Sequence, residues 1–343
     1  MKKILLLMTG ALLVASCQQD VVYEVDYNIT LDGNNTYYAG DPVKFNISGE
    51  VDNLLFYSGE TGHSYQFKDR YSVLVDDIKD VSLKIDYEGQ WGYKGGLDVY
   101  ITNKFEGLKG NDQEADRAII SKMIGLTEEN ASASRDQMQV IVDAAMAENG
   151  WTKLAYEEGD NKVKTSQTYD LDPSMFDNVS VAFHFHPIND GKSAQRSYLV
   201  SGNFILELDG MAPMAMSFKN LSFTSFMMNK EIEDPYQINK GKGSVNFTNA
   251  NCDIFFQGHD KGALPYALDG WVISTPNKFA EVPVSNDKGT VIKNLQNYMH
   301  SYEYVWNTPG TYKVVFLGRN ENYAAASEDV QEFTITILEK PEE

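Results

Sequence analysis

The sequence predicts an all-β protein with one short helical insertion. Aromatic residues make up 12% of the 343 positions, and 20 Tyr and 17 Phe supply most of them, a usage typical of β-sheets. Apolar and polar residues alternate along many short segments, which is the pattern of half-buried strands. The stretch 111–149 departs from this alternation, because its apolar residues follow helical spacing.

The charge and the cysteine content exclude several classes of function. The chain carries 49 acidic and 29 basic side chains, a formal net charge of −20. Such a surface repels the phosphates of nucleic acids and of anionic membranes, so we expect neither as an electrostatic partner. Two cysteines are too few for a disulfide-rich scaffold or a cysteine-based zinc ribbon.

Residues 1–16 have the pattern of a signal peptide, because two lysines precede the apolar run Ile4 to Ala15. That run is shorter than the roughly 20 residues that a membrane-spanning helix needs. The next motif, Val14-Ala15-Ser16-Cys17, resembles the lipobox of bacterial lipoproteins. The resemblance implies that Cys17 is acylated and that residues 17–22 form a lipidated tether. An ordinary secretory signal with an accidental cysteine is the alternative.

Short apolar segments predict strands along the rest of the chain. In order, they are 43–47, 54–57, 73–75, 81–85, 97–101, 179–185, 198–208, 218–226, 244–247, 254–256, 271–273, 302–306, 311–316 and 333–337. Pro309-Gly310 separates two alternating segments, which predicts a β-hairpin at this point. Cys252 precedes an apolar strand, so we expect a buried thiol.

Two short helices are predicted within 111–149. Asn111 stands three residues before Glu114, as in a capping box, and the first apolar face ends at Gly125. The second helix ends at Asn149-Gly150, since glycine is the common residue after a helix.

Segments near both ends of the chain resemble the two halves of one PKD-type, immunoglobulin-like domain. Gly40–Phe45 and Phe56–Glu60 are similar to the first half, whereas His300–Val314 and Phe333–Ile337 are similar to the second. Each half spans about 50 residues, about half of what one such sandwich needs.

This arithmetic predicts a PKD-like sandwich that is split by a long insertion. The sandwich would consist of residues 23–75 and 285–340. Residues 76–284 would form a jelly-roll-like β-sandwich domain that carries the helical insertion 111–149. Two or three complete tandem domains are the alternative.

A wider resemblance covers most of the mature chain. Residues 52–60, 97–107, 270–274 and 309–312 resemble a family of Bacteroidota surface lipoproteins of unknown function, encoded beside SusC/SusD-type transporters. The resemblance implies a middle region similar to carbohydrate-binding modules, with a glycan or other nutrient and the transporter complex as partners. Gln18-Gln19-Asp20 partly resembles the export tag of such proteins, which implies a lipid-anchored protein of the outer membrane facing the cell exterior.

No catalytic constellation is recognisable in the sequence. His184 and His186 lie two apart on a predicted strand and share one face, but no Cys, Asp or Glu stands at a helpful spacing. A structural role is therefore favoured over a metal site. The segments Asp112–Asp116 and Asn286-Asp287 are too short for an EF-hand, so no cofactor is predicted, and a structural calcium ion stays open.

Trp91 and Tyr93 are the best candidates for ligand contact, with Trp151 as a neighbour. The first two lie in the glycine-rich segment 89–96, where flat aromatic faces can stack on sugar rings. A tryptophan folded under its own loop is the alternative for Trp91, and a core position is the alternative for Trp151.

These observations predict a non-catalytic surface lipoprotein that assists nutrient capture, with a glycan as the expected ligand. A structural accessory of the transporter without its own ligand is the first alternative. A glycan-degrading hydrolase is the second, and it would need two carboxylates about 5 to 10 Å apart in a deep pocket.

Overall fold

The computed structural model describes residues 21–236, 239–262 and 267–341. The predicted signal peptide, the lipobox with Cys17 and most of the tether lie outside these residues. The strands in chain order are β1 (Asp26–Leu31), β2 (Thr36–Tyr38), β3 (Pro42–Glu50), β4 (Asn53–Tyr57), β5 (Ile78–Gln90), β6 (Leu97–Thr102), β7 (Thr152–Lys153), β8 (Lys164–Asp170), β9 (Ser180–Phe185), β10 (Ser197–Leu208), β11 (Met214–Ser217), β12 (Phe223–Met227), β13 (Val245–Asn246), β14 (Ile254–Phe256), β15 (Gly270–Ser274), β16 (Thr290–Lys293), β17 (Ser301–Val305), β18 (Gly310–Glu321) and β19 (Ala326–Leu338). The helices are α1 (Gln113–Met123) and α2 (Arg135–Glu148). The predicted all-β class with a short helical insertion is confirmed.

The described chain divides into two compact units. The first is formed by the chain up to Tyr71 together with the chain from Ser285 on, and the second is formed by Ser72–Val284. Each unit has its own apolar core.

The first unit is a sandwich of a three-stranded and a five-stranded sheet. The sheet orders are β1-β3-β17 and β16-β4-β18-β19-β2. Alternating residues of both sheets, such as Phe45, Phe56 and Phe316, fill the core between them. Trp306 is fully buried there and donates its indole N–H to the Ser58 carbonyl at 3.2 Å.

The predicted hairpin across Pro309-Gly310 is wrong. β17 pairs with β3 in one sheet, whereas β18 pairs with β4 and β19 in the other. The Pro-Gly segment is therefore a corner between two sheets. Both strands need an apolar face in the core, and opposite sheets provide it for each of them.

The second unit is also a two-sheet sandwich, with a helical layer on one outer face. One sheet has the order β13-β14-β10-β5-β8, with β11 added to β10, and the other has the order β12-β15-β9-β6-β7. The helices pack their apolar faces on the outer side of the second sheet, through residues such as Ile120, Val142 and Met146. Every residue of β9 is consequently buried.

Several local predictions differ from the structure. The predicted strand 73–75 runs into a 3-10 turn at Val75–Asp77, and Phe218–Asn220 forms another within the predicted strand 218–226. The N-cap of α1 is Asp112 rather than Asn111, and its carboxylate accepts the Ala115 N–H. Cys252 is buried, as expected. Within the described ranges, no helix combines the length and apolar character that a membrane crossing requires.

Candidate ligand-binding site

The glycine-rich segment after β5 is a tight turn that projects two aromatic rings. Trp91 and Gly92 both adopt left-handed backbone conformations, with φ of 62° and 51°. A Cβ at Gly92 would lie 2.4 Å from the Ala194 carbonyl oxygen, so the close approach of the two chains requires glycine. The turn directs the indole outward, and 54% of Trp91 and 50% of Tyr93 are exposed.

Hydrogen bonds from neighbouring segments fix the backbone of this turn. The Trp91 N–H donates to Asn161 Oδ1 at 2.7 Å. The Gly95 N–H donates to Glu158 Oε2 at 2.7 Å, and the Gly96 N–H donates to the Tyr198 hydroxyl at 2.8 Å. This turn, residues 91–96, is called the aromatic turn below, and it is ordered by contacts to β10 and to the segment before β8.

A buried ion pair lies beneath the turn. Arg196 Nε is 2.6 Å from Glu158 Oε1, and 2% and 11% of the two side chains are exposed. The guanidinium also donates to the carbonyls of Trp91 at 3.0 Å and Gly159 at 2.9 Å. Arg196 thus connects the aromatic turn to the segment that carries Glu158. The sequence analysis did not identify Arg196 as a functional residue. The available signal was its position, because this charged residue directly precedes a strand whose residues are mostly buried.

One face of the Trp91 ring lies against a lysine. The Nζ atom of Lys162 is 4.4 Å from the centre of the indole, a distance at which a cation is attracted to the ring. The half-exposed indole excludes the alternative in which Trp91 is folded under its own loop. Apolar ring surface, a cation and a neighbouring Tyr93 are therefore available together to a ligand.

Trp151 does not belong to this surface. It is 4% exposed and packs against Phe105, with the ring centres 5.4 Å apart, in the cluster under the helices. The residue follows the end of α2, and the helical layer covers it. The prediction of a ligand contact at Trp151 is corrected to a core position, which was its alternative.

A second cluster of functional groups lies on the outer face of β9. Asp98 of β6 stands opposite His184 in the register, and the side chains of Asp98, His184 and His186 place donor atoms within 4.8 Å of one another. The carboxylate partner comes from another strand, so the spacing of residues around the two histidines could not indicate it. The two imidazoles are stacked, with centres 4.2 Å apart and planes 20° apart.

Hydrogen bonds hold one nitrogen of His184 and both nitrogens of His186, whereas His184 Nδ1 is buried without a hydrogen-bond partner among the described residues. His186 Nε2 lies 2.9 Å from Asp98 Oδ2, and His184 Nε2 lies 2.9 Å from Asp269 Oδ1. Lys153 Nζ is 3.0 Å from the other oxygen of Asp98. Imidazole lone pairs lie in the ring plane, so an ion bound by one of two stacked rings lies outside the plane of the other. The stacked arrangement of His184 and His186 therefore suits hydrogen bonds to separate partners better than shared binding of one ion.

Burial keeps His186 neutral near pH 7. Desolvation, followed by repulsion from His184, lowers the pKa of His186 to about 4. A neutral His186 can donate from Nε2 to Asp98 and accept at Nδ1 from Arg135, whose Nη2 is 3.1 Å away. Burial opposes ionisation of Asp98, but hydrogen bonds from His186 and Lys153 lower its pKa well below the ordinary value.

The two acidic segments considered for calcium use their carboxylates within the fold. Asp116 is fully buried and accepts hydrogen bonds from the Gly110 N–H and the Tyr236 hydroxyl, both at 2.8 Å. Asp287 accepts the Ser64 N–H at 2.8 Å. These oxygens anchor loops.

Comparison with known proteins adds one finding. Residues 16–139 match the family model of DUF5017, a domain of unknown function. The match covers about a third of the chain. Neither the curated proteins nor the solved structures give a significant match.

Proposed function

We propose that this protein is a non-catalytic surface lipoprotein that captures a glycan nutrient beside a SusC/SusD-type outer-membrane transporter. Acylation at Cys17 would anchor it in the outer membrane, facing the cell exterior. The observation that carries the capture role is the pair of half-exposed rings of Trp91 and Tyr93 on an ordered turn.

The chemistry of this turn suits a sugar. An indole face removes the apolar face of a pyranose from water while the hydroxyls at the ring edge keep polar partners. Lys162 lies against Trp91, and Asn161 and Asp160 lie in the same exposed segment, so donors and acceptors are present. Because the turn is already held by Asn161, Glu158 and Arg196, binding costs little ordering entropy.

Calorimetry of the mature protein against a panel of soluble glycans tests the capture role. Trp91→Ala should weaken binding of a ligand found in the panel by roughly thirtyfold or more, the effect of losing a binding hot spot worth about 2 kcal/mol. The melting temperature should stay unchanged, because the ring is exposed. Tyr71→Ala is the matched control, since Tyr71 is 65% exposed in the other unit.

Each outcome has a definite meaning. Loss of binding in Trp91→Ala alone supports the site. Equal binding by Trp91→Ala and the wild type places the ligand elsewhere, and a panel without any binding glycan contradicts the capture role. The anchor is tested separately by mass spectrometry of the mature N-terminus and by release of Cys17→Ser from membranes.

A further inference from the structure

The most exposed large apolar side chains of the described residues gather at one end of the first unit. Tyr298 is 93% exposed, Tyr323 89%, Tyr23 79% and Leu295 73%. Isolated exposed apolar residues are ordinary, but a group of this kind marks a contact surface. We call these four residues the tyrosine end.

Strand register places the four residues together. Asp26 at the start of β1 pairs with Glu50 at the end of β3, and Arg319 near the end of β18 pairs with Asn53 at the start of β4. The loop between β16 and β17 carries Leu295 and Tyr298, and the turn between β18 and β19 carries Tyr323. An open groove of about 820 Å³ lies at this end, lined by Tyr23, Leu295, Tyr298 and Asn322 among others.

The chain enters the sandwich at the same end. Asn320 Nδ2 donates to the Tyr23 carbonyl at 3.1 Å, and Asn320 Oδ1 accepts the Asp52 N–H at 2.7 Å. The backbone at Tyr23 is therefore tied to β18 and to the start of β4. Cys17 lies six residues earlier, and six residues span at most about 20 Å when extended.

We propose that the tyrosine end rests on the headgroup region of a lipid bilayer and that the sandwich stands on the membrane by this end. The proposal relies on the lipid anchor at Cys17 from the proposed function. An anchor within about 20 Å keeps this end close to the bilayer, so weak contacts suffice. Tyrosine is enriched at membrane–water interfaces because its ring is apolar and its hydroxyl is polar.

Charge at this end selects the type of lipid. Five carboxylates line the groove, against one lysine and one histidine. The contact therefore depends on apolar insertion into an uncharged, zwitterionic surface, and an anionic surface weakens it.

Side-chain oxidation by hydroxyl radicals tests this placement. The mature chain, starting at Cys17, is joined through that thiol to a maleimide phospholipid in phosphatidylcholine vesicles. Cys252 does not compete, because it is 3% exposed and burial raises its thiol pKa to about 11. Oxidation of each tyrosine is then compared between vesicle-bound and free protein. Tyr38 is the control, since it is 41% exposed and pairs with Leu338 at the opposite end of the same unit.

We expect the oxidation rates of Tyr298 and Tyr323 to fall several-fold on vesicles, with that of Tyr38 unchanged. The double variant Leu295→Ser/Tyr298→Ser should restore the reactivity of Tyr323 on vesicles, and added phosphatidylglycerol should do the same. Equal rates for bound and free protein would overturn the proposal. Shielding that occurs in native membrane fragments and not on vesicles would also overturn it, in favour of a protein partner at this end.

The attachment chemistry separates this proposal from the anchor itself. Because the anchor is supplied in vitro, the oxidation result does not depend on acylation in the cell. Absence of acyl chains on Cys17 in the cell contradicts the lipoprotein role, whereas unshielded tyrosines on vesicles contradict the membrane contact.

Discussion

Replacing Arg196 by methionine tests whether the buried ion pair maintains the aromatic turn. The substitution keeps a long apolar side chain but removes the guanidinium, which is paired with Glu158 at 2.6 Å and donates to the carbonyls of Trp91 and Gly159. The Glu158 carboxylate, 11% exposed, would keep the Gly95 N–H and lose its countercharge. Breaking a buried pair in this way costs about 3 to 5 kcal/mol.

The assay is urea unfolding followed by tryptophan fluorescence and circular dichroism, with wild type and variants at one pH and salt concentration. Lys164→Met is the matched control, because Lys164 pairs with Asp86 at 2.8 Å in the same unit but is 62% exposed. A pair of that kind contributes about 1 kcal/mol or less. The free energy of unfolding should therefore fall several times further in Arg196→Met than in Lys164→Met.

A double variant separates the charge from the packing. Arg196→Met combined with Glu158→Gln removes the unpaired carboxylate, so its loss of stability should be clearly smaller than the sum of the two single losses. Additive losses, or an Arg196→Met cost no larger than that of the control, would refute the reasoning.

Three further predictions also concern the second unit. The lowered pKa of His186, about 4 against an ordinary 6.5, means that the unfolded chain binds the proton more readily. The free energy of unfolding is therefore highest above about pH 6.5 and falls by about 3 kcal/mol as the pH drops to 4. His186→Gln should make this pH dependence shallower in urea titrations. An unchanged pH dependence would contradict the lowered pKa of His186. Trp151→Ala should destabilise the protein by about 3 to 5 kcal/mol, since it empties a buried ring site; a melting temperature equal to that of Trp91→Ala would show that Trp151 is not a core residue. Gly92→Ala should lower the melting temperature, because the new Cβ would meet the Ala194 carbonyl, whereas Gly191→Ala, also at positive φ but with open space around it, should cost less.

The elements of this protein are largely readable from local sequence. Strands such as β3 and β10 alternate apolar and polar residues because one face of each is buried, and this periodicity does not depend on the partner strand. The end of α2 was likewise predicted from Asn149-Gly150, since helix termination is a local backbone property. The glycines around Trp91 predicted a loop, but they left open whether the ring is exposed or folded under that loop.

The partners of these elements were decided only by the tertiary structure. Pro309-Gly310 has the local features of a hairpin turn, yet the core of the sandwich is completed when β17 and β18 join opposite sheets. Asp98 reaches the histidines of β9 from more than 80 positions away in the sequence, because strand register sets which side chains face each other. Trp151 is buried because the helices fold over it, and Arg196 acquires its role from carbonyls that the fold brings around it. Local periodicity specifies which residues leave water, whereas long-range packing specifies what they meet there.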